Sequence, residues 1–178
     1  GHAKSIMAGN CPEIELVAIA DVKESRREAA KELYGEKITV FDDAIKMLDS
    51  GMVEAVLVAV PHDGHPTYSS AAMERGIHVM CEKPAGVYTK QVKEMNEVSK
   101  ECNVVFGIMM NQRTNCIYRK MREIVKSGEM GEIKRTSWII TDWYRSQAYY
   151  DSGDWRATWS GEGGGVLLNQ CPHNLGLW

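Results

Sequence analysis

Ile77-His78-Val79-Met80-Cys81-Glu82-Lys83-Pro84 is the stretch whose reading decides the fold. A short apolar run, fit for a buried strand, ends in a charged pair and a proline. Upstream, Val53–Val60 is an apolar, β-branched strand, and Pro61-His62-Asp63-Gly64-His65-Pro66 is a loop that leads into a helix stopped by Gly76. Downstream, Thr89–Cys102 has helical spacing and Val104–Met110 is another strand. Strands that alternate with helices across short loops predict parallel βαβ units with right-handed crossovers. Their continuous apolar character predicts a sheet covered on both faces.

The same alternation extends in both directions. Glu13–Ala20 reads as a strand ending at Asp21, Ser25–Tyr34 as a helix and Ile38–Phe41 as a strand. Asp42 is the expected cap of a helix through Leu48, and Asn115–Ser127 reads as a helix closed by Gly128. The pattern changes after Gly131. Ile133–Tyr144 carries Thr, Trp and Tyr in looser alternation, as in a sheet open on one side, and Gln147–Glu162 reads as a polar loop. A domain boundary is expected near 128–132.

Bulk properties narrow the function classes. The chain has 178 residues and a formal net charge of −3, which gives no reason to expect nucleic acid or an anionic membrane surface as partner. No apolar stretch is long enough to cross a bilayer, and no secretory signal is visible. Five scattered cysteines without a CxxC pair read as reduced thiols in a cytoplasmic protein, and no metal site is expected. The opening Gly1-His2-Ala3-Lys4 already reads as helix interior and Leu177-Trp178 follows the start of an apolar run, so the chain reads as an internal piece of a longer protein.

Lys83 stands at the carboxyl end of a strand, where open α/β sheets bind ligands. Lysine is rarely buried there without a partner. Glu82 could pair with it, although strand neighbours point to opposite faces. Pro84 permits a cis bond that fixes the direction of Lys83. Asp21 is placed to accept from the ribose hydroxyls of a dinucleotide, or simply to cap a helix. Pro61 and His65 lie where a cofactor would pass, or merely start a helix. Gly163-Gly164-Gly165 leads to Asn169 and His173, four residues apart and so on one face if helical. A histidine there can take a hydroxyl proton. Trp155-Arg156 could hold an anionic or polyhydroxyl ligand, or pack in a surface loop.

Together these residues resemble the Gfo/Idh/MocA oxidoreductase family. The resemblance rests on Asp21, Pro61 with His65, Glu82-Lys83-Pro84, Trp155-Arg156 and the triple glycine leading to His173, and it covers essentially the whole chain. It implies a doubly wound Rossmann domain at 1–128, lacking its first strand and glycine-rich loop. The start of an α+β domain with a mostly antiparallel sheet follows at 129–178. It implies NAD or NADP, with NAD favoured by the Asp21 carboxylate, and a sugar, inositol or related polyol as substrate. A homo-oligomer through the C-terminal sheet is also implied.

The resemblance makes Lys83 and His173 catalytic. Asn169, Trp155, Arg156, Arg113 and Tyr144 fall on the substrate side. Asp21, Pro61, His65, Glu82, Lys83 and Arg113 fall on the cofactor side. Asn169 and Gly176 replace acids that the family commonly has. Asparagine cannot ionise, which shifts the base role to His173. The absent glycine loop predicts weak cofactor binding by this piece. An NAD-dependent glycosidase and a non-catalytic dinucleotide-binding regulator are the rival readings.

Overall fold

The computed structural model describes residues 1–141 and 143–178. Two compact units divide the chain: residues 1–58, 67–80 and 95–106, and residues 59–66, 81–94 and 107–178.

In the first unit, α1 (His2–Met7) precedes β1 (Ala18–Ala20), and α2 (Glu24–Tyr34) leads to β2 (Thr39–Phe41). β1 and β2 pair in parallel, Ala18 opposite Thr39 and Ala20 opposite Phe41. α3 (Ala44–Asp49) follows. Its cap is Asp43, not the expected Asp42: the Asp43 carboxylate accepts from the Ile45 N–H at 2.6 Å, whereas Asp42 pairs with Lys46 at 3.0 Å. The cap must sit directly before the first helical residue, and Asp43 holds that place.

β3 (Ala55–Val58), α4 (His65–Met73), β4 (His78–Cys81), α5 (Thr89–Glu101) and β5 (Phe106–Ile108) continue the alternation, with strand order β3-β4-β5. The Val79 N–H donates to Val105 O, and the Met109 N–H to Cys81 O. Partners advance together along both strands, as parallel pairing requires. Leu48, Val58, Ala72, Met73, Val79 and Met95 are all buried in this unit. Burying a methionine of this kind contributes about 1.5–3 kcal/mol.

The sheet is not covered on both faces as expected. β4 buries Val79 and Cys81 but exposes His78 and Met80. Leu57 of β3 is exposed as well. An apolar run shows that a strand tolerates burial on both faces; helices decide whether it receives it.

In the second unit, α6 (Cys116–Ser127) is capped by Asn115, whose side chain accepts from the Ile117 N–H at 2.9 Å. α7 (Gln147–Asp151), α8 (Val166–Asn169) and α9 (Pro172–Leu177) complete it. The mostly antiparallel sheet expected in 129–178 is not formed among the described residues. Residues 133–141 carry no regular secondary structure, and Ile139 is 84% exposed. Asp142, inside the expected strand, lies outside the described residues. Branched and aromatic side chains favour extended backbone, but a strand exists only where a neighbour takes its N–H and C=O groups. No helix of the described residues is long and apolar enough to cross a membrane.

Candidate active site

In the second unit Lys83, Glu82, His65, Asn169, Trp155 and Arg156 line a cavity of about 250 Å³, whereas His173 is not among its lining residues. Lys83 reaches it from the segment just after β4. Its backbone N–H donates to Glu82 Oε2 at 3.2 Å, and the Lys83–Pro84 peptide is cis. The ammonium donates to the Asn169 backbone oxygen at 2.6 Å and lies 3.4 Å from Asn169 Oδ1. Burial pushes Lys83 below its ordinary value. The Glu82 and Glu162 carboxylates oppose that shift, and the Arg145 and Arg156 charges add to it.

Asn169 is buried at the end of α8. Its Nδ2 donates to Glu162 Oε1 at 2.7 Å. A carboxylate can accept but cannot donate, so this bond fixes the amide orientation and leaves Oδ1 towards Lys83. Glu162 is 5% exposed and so forms a buried polar relay with Asn169 and Lys83. Two glycines make its seat possible. A Cβ on Gly161 would lie 2.6 Å from Trp155 Cβ. Gly163 has φ +77°, and a Cβ there would collide with Val87. Gly165 meets nothing. Within the triple glycine, the close approach belongs to Gly163.

His173 sits on α9, and its Nδ1 is buried without a hydrogen-bond partner among the described residues. Burial and then the Lys83 charge push it below the ordinary imidazole value, while Glu82 opposes. Asn169 and His173 do not share one helix, contrary to the spacing argument. Pro172, at the first position of α9, has no N–H to donate and its ring would clash with the carbonyl four residues back. The two short helices, not a common face, deliver the two side chains.

The loop after β3 supplies two histidines. His65 sets Nδ1 2.6 Å from Pro84 O and Nε2 3.0 Å from Val60 O, and the nitrogen that carries the proton donates to its carbonyl. It fastens the loop to the cis-proline turn, and its ring also lines the cavity. Pro61 caps the short turn that follows it and is exposed. His62 lies edge-on to Trp155 at 4.8 Å. Burial drives its pKa from 6.5 to about 4.

Arg156 and Trp155 line the cavity as expected. Tyr144 is 85% exposed and does not line it. Arg113 donates to Gly176 O at 3.1 Å and is likewise outside the lining. The Arg113 guanidinium lies 3.4 Å from where a Cβ on Gly176 would stand, so it occupies the ground an acid there would face. Sequence reasoning missed His62, Arg145, Tyr149, Glu162 and Gln170. The adjacency of Glu162 to the triple glycine was the one available signal for it. Arg145 and Tyr149 fall in stretches without periodicity.

Asp21, in the first unit, directly follows β1. Its Oδ1 accepts from the Lys23 N–H at 2.8 Å, and Oδ2 lies 3.5 Å from Arg26 Nη1. The side chain is 24% exposed. The long contact to Oδ2 leaves it able to accept a ribose hydroxyl, so the residue fits a dinucleotide.

Residues 2–110 match the family model described as "Oxidoreductase family, NAD-binding Rossmann fold", and residues 118–178 match the GFO/IDH/MocA C-terminal domain. The chain is 34% identical to D-glucoside 3-dehydrogenase of Escherichia coli K12 over 70% of its length and 35% of that protein. It is 30% identical to myo-inositol 2-dehydrogenase of Thermotoga maritima over 74% of its length and 40% of that protein. The crystal structure of the WlbA dehydrogenase from Bordetella pertussis, in complex with NADH and UDP-GlcNAcA, superimposes with a TM-score of 0.80 at 27% identity. That match covers 92% of this chain and 50% of the other. The chain thus spans half or less of the length of these relatives. Its parallel-stranded N-terminal fold, its C-terminal match and these relatives together make it a member of the Gfo/Idh/MocA family of oxidoreductases.

Proposed function

We propose that the whole protein is an NAD(P)-dependent dehydrogenase that oxidises a secondary alcohol of a sugar, inositol or related polyol. The observation that carries this reading is the half-buried Lys83 ammonium just past the end of a parallel strand, bonded to Asn169. A nicotinamide dinucleotide, when bound, supplies the hydride acceptor. Asp21 would hold its ribose, and Pro61, His65, Glu82 and Arg113 belong to the cofactor side of this reading. Asp21 favours NAD through charge repulsion of a 2′-phosphate, a preference blunted by Arg26 at 3.5 Å. The dehydrogenase relatives, one crystallised with NADH, support the same class.

His173 takes the proton of the reacting hydroxyl. Its lowered pKa keeps the imidazole neutral and ready to accept at neutral pH. Lys83 donates to the same oxygen and stabilises the negative charge that develops there. Asn169 keeps the ammonium in place, and its long 3.4 Å contact is the one a substrate hydroxyl can replace. Trp155 and Arg156 form the substrate wall. Residues 1–128 serve the dinucleotide and 129–178 the substrate, within a cytoplasmic homo-oligomer.

The test is NADH formation by the full-length protein across a panel of sugars and inositols, followed over pH. Turnover should persist below the ordinary imidazole range, because protonation of His173 is disfavoured, and should decline at high pH below the ordinary lysine range. Release of a sugar from a glycoside without net NADH, or tight NADH binding with no turnover on any polyol, would overturn the assignment.

A further inference from the structure

Lys83, Arg145 and Arg156 line the cavity with Glu82, and the buried Glu162 carboxylate stands behind Asn169, so three cations face two carboxylates. A neutral polyol needs no such excess. The two arginines also share one aromatic ring. Each guanidinium carbon lies 4.2 Å from the centroid of the same Tyr149 ring. Trp155 takes the other contact of Arg156 at 4.5 Å, and Trp143 that of Arg145 at 4.9 Å. The ring faces attract the cations, but two like charges held together still repel.

Their hydrogen-bond acceptors do not offset this. Arg145 Nη2 donates to the Gln170 side-chain oxygen at 3.2 Å. Arg156 donates to Ser152 Oγ at 2.9 Å and to Tyr149 Oη at 2.7 Å. All three acceptors are neutral. Among the described residues, Arg145 Nε is buried with no hydrogen-bond partner. A planar donor group that is oriented by neutral neighbours, with a buried N–H left over, is prepared for an oxyanion.

The dinucleotide phosphates are the first alternative occupant. Both arginines, however, belong to the segment matching the C-terminal domain, not to residues 2–110 that match the NAD-binding fold. Glu162 offsets part of the positive charge on Lys83, but its carboxylate accepts from Asn169 rather than from either guanidinium.

We propose that the substrate is an acidic sugar whose carboxylate or phosphate group is held by Arg145 and Arg156. This deepens the dehydrogenase reading and rests on it. The acidic group anchors one end of the sugar and leaves a ring hydroxyl for Lys83 and His173. The bound anion also neutralises two charges that oppose protonation of Lys83.

The experiment is calorimetric titration of the NADH-saturated, full-length protein with glucuronate, glucose 6-phosphate and glucose. At least one acidic sugar should bind ten-fold or more tighter than glucose, and its advantage should shrink as salt rises. Whether glucuronate or the phosphate ester wins identifies the acidic group. Arg145→Gln and Arg156→Gln should each abolish the advantage while NADH affinity, followed by fluorescence, stays within about two-fold; Arg→Lys should restore part of it. Equal binding of all three sugars, preference for glucose, or no acidic sugar bound at millimolar concentration overturns the inference and leaves the dehydrogenase reading standing. Loss of NADH affinity in the arginine variants assigns them to the cofactor and overturns it too. Failure of the parent protein to bind NADH strikes the dehydrogenase reading, and the inference falls with it.

Discussion

Asp21 and Lys83 each follow a strand, yet their surroundings are built in opposite ways. Asp21 makes its contacts with Lys23 and Arg26, two and five residues on, and its side chain stays partly in water. Lys83 finds its partner 86 residues away, in Asn169, which is in turn held by Glu162. A locally built site survives loss of a neighbour with small effects, because water replaces what is removed. A non-locally built, desolvated site does not, because a buried polar group left unpaired costs about 1–3 kcal/mol.

The largest effect that would sharpen this contrast is on Lys83. Lys83→Met in the full-length protein should lower turnover by roughly 10²–10⁴ with cofactor affinity nearly unchanged. Comparable turnover would put Lys83 on the same footing as a surface lysine.

His62 tests burial itself. Its pKa is about 4 in the folded protein against 6.5 when unperturbed, so the unfolded chain binds the proton more readily. Stability should therefore be intact above pH 6.5 and fall as pH drops towards 4, by on the order of 3 kcal/mol over that window. His62→Phe keeps an aromatic edge against Trp155 and should flatten the dependence in urea titrations between these pH values. An unchanged slope would mean that the lost stability comes from other groups.

Glu162→Gln should reduce turnover by roughly ten-fold, the scale of one charge-assisted hydrogen bond. It should also move the alkaline limb of the pH profile lower, because the Glu162 charge supports protonation of Lys83. A fall in turnover without that movement would make Glu162 a packing residue.

The smallest effect belongs to the local site. Asp21→Ala should weaken NAD by roughly ten-fold or less, about 1 kcal/mol for an exposed acceptor, and NADP by less still. Equal weakening of both cofactors would remove the ribose from the role of Asp21.

Much of the first unit was legible because its information is local. Ser25–Tyr34 and Thr89–Cys102 lie within a residue or two of α2 and α5, since spacing and caps are written in neighbouring residues. Ile133–Tyr144 had an equally readable β pattern and formed no strand among its described residues, because pairing is a property of two segments. In the site, Lys83, Asn169, Trp155 and Arg156 were visible as unusual residue types at suggestive places. Arg145 and Glu162 lay in stretches that look like ordinary polar loop.

The sequence by itself determined the alternation of helix and strand, the lysine at a strand's end and the family to which the chain belongs. Tertiary structure decided that the amide of Asn169 is split between Glu162 and Lys83, that Pro172 separates Asn169 from His173, and that two arginines share one tyrosine ring. The reason is physical. Helix periodicity and capping act over a few residues, whereas burial, charge and close approach act through space, between side chains whose distance along the chain carries no trace of their contact.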